Sequence, residues 1–88
     1  MENIFKVISI SASRIITTPD GNTSPCRDIV LQVPGNNFSD KITGGLIGSK
    51  SELDLHPGDL VAASVRLDVE EYNGRAYQKA KIIEVIKI

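Results

Sequence analysis

Asn73-Gly74 lies between two runs of alternating apolar and polar residues, 60–70 and 75–88. This is the strongest short-range signal for a β-hairpin, because both central residues of a type I′ turn need positive φ. Asn tolerates that conformation and Gly adopts it freely. A two-residue loop then sets the register. Tyr72 faces Arg75, Glu70 faces Tyr77, Asp68 faces Lys79 and Arg66 faces Lys81. Side chains alternate along a strand, so all of these share one side. The other side pairs Val69 with Gln78, Leu67 with Ala80 and Val65 with Ile82, and Val61 and Ala63 extend it into a core face. A slip of one residue would turn Val65 and Leu67 into water, so the register is strongly specified.

The remaining chain reads as strands and turns. Residues 5–16 are rich in β-branched side chains (Val7, Ile8, Ile10, Ile15, Ile16) and predict a long first strand. Residues 17–25 concentrate Thr, Pro, Asp, Gly, Asn and Ser and predict a loop. A second strand over 27–33 ends at Pro34-Gly35-Asn36-Asn37, and a weaker third covers 38–47. Within the third, Gly44-Gly45 and Gly48 signal a bulge, a bend or the close approach of another backbone. Residues 49–55 hold the one helical candidate, with Ser51 as its cap and Glu52 at its positive end. His56-Pro57-Gly58-Asp59 is a turn, and strands four and five are the arms of the hairpin. Three strands, a short helical connection and two strands is the order of an OB-fold, a five-stranded Greek-key barrel. An SH3-like barrel and an open five-stranded sheet are the alternatives.

The chain has 88 residues, which allows one domain, residues 1–88. A hydrophobic content of 41% is that of a folded domain. With one cysteine, Cys26, there is no internal disulfide and no cysteine zinc site, and Cys26 itself is expected to be buried and inert. The segment Met1-Glu2-Asn3-Ile4-Phe5-Lys6 lacks a signal-peptide core, and no apolar run approaches the roughly 20 residues that span a bilayer. These features predict a soluble cytoplasmic protein with no membrane partner. Net charge is −1, so binding to nucleic acid would require a local basic patch.

The hairpin supplies such a patch. Its polar side carries Arg66, Arg75, Lys79 and Lys81 with Tyr72 and Tyr77, against Asp68 and Glu70. Mobile cations suit phosphates, and flat apolar rings suit unpaired bases, each stack contributing about 1–3 kcal/mol. A plain solvated face is the competing reading, since Asp68 and Lys79 make an ordinary cross-strand pair. Arg66 opposite Lys81 is a like-charge pair, which an anionic ligand lying across it would relieve. Arg27 and Lys41, on the second and third strands, are weaker candidates. Phe38 is assigned to the core ahead of a stacking platform.

The stretch Gly58-Asp59-Leu60-Val61, the alternating strand, Glu71-Tyr72-Asn73-Gly74-Arg75, Tyr77 and a closing basic strand resembles a small bacterial and phage OB-fold family. That family was long catalogued as a domain of unknown function and is similar to single-stranded-DNA-binding proteins. The resemblance covers most of the chain in layout, with its specific motif in residues 57–83. It implies binding of single-stranded DNA, with RNA as the second candidate. In that family a tryptophan commonly follows Asn-Gly-Arg, where this chain has Ala76 on the core-side parity of the hairpin. Aromatics are also common where this chain has Ile47 and Ile83.

Other residues carry less chemistry. His56 has no second His or Cys near it in sequence. Ser49-Lys50-Ser51 lacks an accompanying oxyanion motif. Gly44 to Lys50 lacks the Gly-Lys-Ser/Thr ending of a phosphate loop. The sequence therefore predicts a non-catalytic module without cofactor or metal. Its rival is a structural protein that assembles into dimers or tetramers through the open edges of its first and last strands.

Overall fold

The computed structural model describes residues 2–33 and 40–88. Alternating, β-branched sequence becomes strand almost throughout. In chain order there are β1 (Glu2–Ile10), β2 (Arg14–Thr17), β3 (Thr23–Gln32), β4 (Lys41–Ile47), a 3₁₀ turn (Gly48–Glu52), β5 (Leu60–Tyr72) and β6 (Arg75–Lys87). The protein is all-β, and these strands form one antiparallel sheet. Residues Pro34-Gly35-Asn36-Asn37 and Phe38, with the start of the expected third strand, lie outside the described residues.

β3 is the hub. Its residues 29–32 pair with β1 and its residues 23–26 with β2, while β4 pairs along 26–32 on the opposite edge. β1 in turn pairs with β5, and β5 with β6. The expected first strand is therefore broken in two, although both halves follow the same edge of β3. The break centres on Ser11, whose hydroxyl takes over a ladder position. Its Oγ accepts the Asp28 N–H at 2.8 Å, and its own N–H donates to the Asp28 carbonyl at 2.9 Å. Arg27 Nε donates to the Ser11 carbonyl at 2.9 Å and completes the crossing.

The inward side chains come from every long strand: Phe5 and Val7 of β1, Ile29 and Leu31 of β3, Leu46 of β4, Val61 and Val65 of β5, and Ile82 of β6. Inward β5 residues follow the odd parity read from the sequence. The turn at 56–59 seals one end. Gly58 N–H donates to the Val7 carbonyl at 2.7 Å, and Val7 N–H to the Asp59 carbonyl at 2.8 Å, next to the register shift between Val7 and Ser9. The helical candidate is shorter than expected. Ser51 does not cap it but lies within it, buried, with Oγ donating to the Gly48 carbonyl at 2.6 Å.

The sheet does not close. β4 and β6 lie side by side without a hydrogen-bonded ladder between them. Gly44 makes the approach possible: a Cβ there would stand 3.2 Å from Ile82 Cδ1 and Cγ1 and 3.3 Å from the Ala80 carbonyl oxygen. This is the close approach that glycine within a strand signals. Gly44→Val is expected to lever β6 away from β4 and to cost about 1–3 kcal/mol, as overpacking does. The check is a lower urea midpoint at an unchanged m-value.

The hairpin register is the one read from the sequence at every pair from Tyr72↔Arg75 to Val65↔Ile82. Asn73 (φ 51°) and Gly74 (φ 74°) both take positive φ at its tip. Its expected core face, however, stops early. Val65 is 1% exposed, but Leu67 is 50% and Val69 56% exposed, and Ala76 opposite Glu71 is exposed as well. Beyond Val65 on β5 and Ala80 on β6 the two strands leave the body as a free arm. The register shift at the root, where Ser64 pairs with Glu84 and Val65 with Ile82, leaves Ile83 as an extra residue. Such a bulge bends and twists the strand that carries it.

Candidate nucleic-acid interface

Along the outside of the β4–β6 seam runs an open groove of about 570 Å³. Its floor is apolar, from Gly45 and Ile47 of β4 and Ala80, Ile82 and Ile83 of β6. Three cations border it: Lys79 and Lys81 from β6, and Lys50 from the 3₁₀ turn. Pro19 lines it as well. It is carried by the loop between β2 and β3, which is tied by its own hydrogen bonds. Asp20 accepts from the Thr18 hydroxyl, from the Asn22 N–H at 3.2 Å and from the Asn22 side-chain amide at 3.0 Å. These bonds hold the Asp20 carboxyl below the usual carboxylate range, with the Thr18 bond the largest cause.

Lys79 and Lys81 also belong to the outer side of the arm, which continues through Tyr77 and Arg75 to the tip. Tyr72 is 70% exposed and Tyr77 about half exposed. Arg66, Arg75 and Lys81 make no ion pair among the described residues. Lys79 Nζ contacts Glu70 Oε1 at 2.9 Å, a diagonal partner, in place of the directly opposed Asp68. Asp68 Oδ1 instead accepts the N–H of Val69 at 2.9 Å. One basic, tyrosine-bearing strip thus leads from the hairpin tip to the seam.

Two candidates fall outside this strip. Arg27 lies opposite Leu46, on the inward parity, half-buried and bonded to the Ser11 carbonyl. Lys41 is exposed but pairs with Gln32 at the far end of β4 from Ile47, about 20 Å along the strand at ~3.3 Å per residue. Sequence reasoning missed Lys50, which reaches the groove only because the 3₁₀ turn folds beside β4. The one available signal was the Gly44-Gly45 pair, which marks where another strand comes near. Cys26 is buried and is the cross-strand neighbour of Ile47.

Ion pairs elsewhere fasten the frame. Arg14 and Asp28 join β2 to β3 with contacts of 2.5 and 3.1 Å. This bond to Arg14 lowers the Asp28 pKa and raises that of Arg14. Asp59 is lowered too, chiefly by the His56 N–H, with Lys87 adding its charge at 3.4 Å. A carboxylate with a depressed folded-state pKa stabilises the fold above its unfolded value of about 3.9 and loses that contribution as pH falls through the folded pKa. Acid unfolding below about pH 4 should therefore shift to a lower pH dependence in Asp28→Asn, measured as Tm between pH 5 and pH 2.5. The pair is solvent-exposed, so the change is small and shrinks with salt.

No helix among the described residues is long and apolar enough to cross a membrane. Comparison of the chain with protein-family models, with curated proteins and with solved structures returns no match.

Proposed function

We propose that this chain is an OB-type module that binds single-stranded nucleic acid, most readily DNA, by non-covalent contact and without a cofactor. The observation that carries the reading is the groove at the β4–β6 seam, where three lysines border an apolar floor and a tyrosine-bearing basic arm leads into it. A single strand needs this combination: cations for its phosphates and uncharged surface for its bases. A duplex would need neither the apolar floor nor exposed rings. The strand adjacency supports the fold assignment. With β1 and β2 counted as one interrupted strand, β4-β3-β1-β5-β6 is an OB-type order, with the short helical turn between β4 and β5 and with β6 returning beside β4. The OB ligand face is formed by its second and third strands, with the loops after the first and fourth strands as rims. Here those rims are the Pro19 loop and the hairpin arm.

Lys50, Lys79 and Lys81 contact phosphates in this reading, Arg75 and Arg66 extend the track along the arm, and Tyr72 and Tyr77 stack bases or pack on sugar. The test is fluorescence anisotropy of labelled oligo-dT titrated with the protein at low salt. Saturable binding that weakens with added salt is the expected result. A flat titration at tens of micromolar protein would remove the reading. An oligo-U probe alongside ranks RNA against DNA.

A further inference from the structure

On the outer side of the arm, Lys79 and Glu70 make the one ion pair among the described residues. Register alone sets Lys79 across from Asp68, and Glu70 across from Tyr77. The side chains choose otherwise. Asp68 has the shorter side chain, and its Oδ1 turns along its own strand to accept the Val69 N–H at 2.9 Å. Glu70, one methylene longer, reaches diagonally to Lys79 Nζ at 2.9 Å, a span that long side chains cover between antiparallel strands. Of the three lysines at the groove, Lys79 alone has an ion-pair partner among the described residues. Neither end of the contact is packed away: the two side chains are 50% and 62% exposed. Such an exposed pair contributes little to stability. It does occupy a groove cation, and with a group that has the same sign of charge as a phosphate.

We infer that Glu70 competes with phosphate for Lys79: it holds this lysine in the free protein and releases it when a nucleic-acid strand binds. The inference rests on the nucleic-acid reading of the groove and adds to it a residue that limits affinity. The position of Glu70 agrees with that role. From the tip, the facing pairs on the outer side run Tyr72 and Arg75, Glu70 and Tyr77, Asp68 and Lys79, Arg66 and Lys81. Glu70 therefore stands between the rings near the tip and the cations at the seam. Two costs follow for a bound strand. The Lys79–Glu70 contact must break before Lys79 meets a phosphate, and the released carboxylate then stays beside a polyanion. Both are electrostatic effects at exposed groups, so they are largest at low salt and fade as the Debye length shortens. Asp68 imposes only the second. It is the same charge on the same side, but it holds a backbone N–H and pairs with no cation among the described residues. Asp68 thus separates the loss of a competitor from the loss of one negative charge.

A double-mutant cycle read by anisotropy of labelled oligo-dT at low salt tests this. Glu70→Gln and Asp68→Asn are each measured alone and combined with Lys79→Gln. Glu70→Gln should tighten binding by about two- to fivefold, the range of an exposed ion pair, and the gain should shrink as salt is added. In the Lys79→Gln background its gain should fall to that of Asp68→Asn, because no lysine remains to be released. Asp68→Asn should give the same gain with Lys79 present or replaced. All these side chains are exposed, so circular dichroism spectra should match wild type throughout. A Glu70→Gln protein that binds no tighter than wild type overturns the inference while the nucleic-acid reading stands. So does a Glu70→Gln gain that is as large in the Lys79→Gln background as in wild type. A flat titration for every protein, wild type included, removes the nucleic-acid reading and this inference with it.

Discussion

Phe5→Ala is expected to leave this domain largely unfolded at physiological temperature. Phe5 is fully buried in the inward cluster. Removing such a ring costs about 3–5 kcal/mol from lost transfer energy and the cavity left behind. A domain of 88 residues has a total stability near the low end of about 5–15 kcal/mol, so this is most of its margin. The informative control is Leu67→Ala. Leu67 shares the parity of buried Val65, and the alternating pattern assigns both to the core. At 50% exposure, its truncation should change stability by no more than about 0.5 kcal/mol. Urea denaturation of both variants measures where the core ends. A loss of 2 kcal/mol or more in Leu67→Ala, a magnitude typical of buried leucine truncation, would mean that the arm is packed in solution, against the body or against another copy.

The second large effect concerns the seam. Reversing both of its β6 cations in Lys79→Glu/Lys81→Glu should lower affinity for oligo-dT by more than tenfold at low salt and flatten its salt dependence. The three lysines at the seam contribute about 2 to the log–log slope, and removing Lys79 and Lys81 should lower that slope by about 1.4. Tyr77→Ala should behave differently. Losing one base stack costs about 1–3 kcal/mol of binding, while the salt slope stays as it was. Because these side chains are exposed, none of the changes should move Tm by much. Equal salt slopes in the charge-reversed and wild-type proteins would take Lys79 and Lys81 out of the phosphate track. An unfolded Tyr77→Ala would instead assign that ring to packing.

The contrast between the two leucines also shows how far the sequence reaches. The hairpin register was legible to the last pair because it depends on local matters: a two-residue turn with positive φ, and side chains that alternate with a period of two. The all-β class followed from the same alternation. The arm's exposure was not legible. Period-two patterning says which side chains share a face, but not how far along the strands another layer covers that face. Coverage here ends at Val65 on β5 and Ala80 on β6, a few residues past the bulge that places Ile83 out of register. The break at Ser11 was hidden for a similar reason. Residues 5–16 have strand composition throughout, and only a hydroxyl bonded to Asp28, distant in sequence, divides them.

Of the candidate binding residues, those on the arm were found because one turn sets them all. The places of Lys50 and Arg27 were not legible, because they come from contacts between elements far apart in the chain. Lys50 enters the groove through the packing of the 3₁₀ turn beside β4, and Arg27 is held by the Ser11 carbonyl. By itself the sequence determined the two hairpin strands, their turn and the pairing of Arg66, Tyr72, Arg75, Tyr77, Lys79 and Lys81 on one side of the hairpin, since backbone sterics and side-chain alternation act over a few residues. The tertiary structure decided that the sheet stays open between β4 and β6 and that the groove lies on that seam. Those outcomes depend on how Gly44 lets one strand approach another and on which side chains the next strand covers, which no short window of sequence contains.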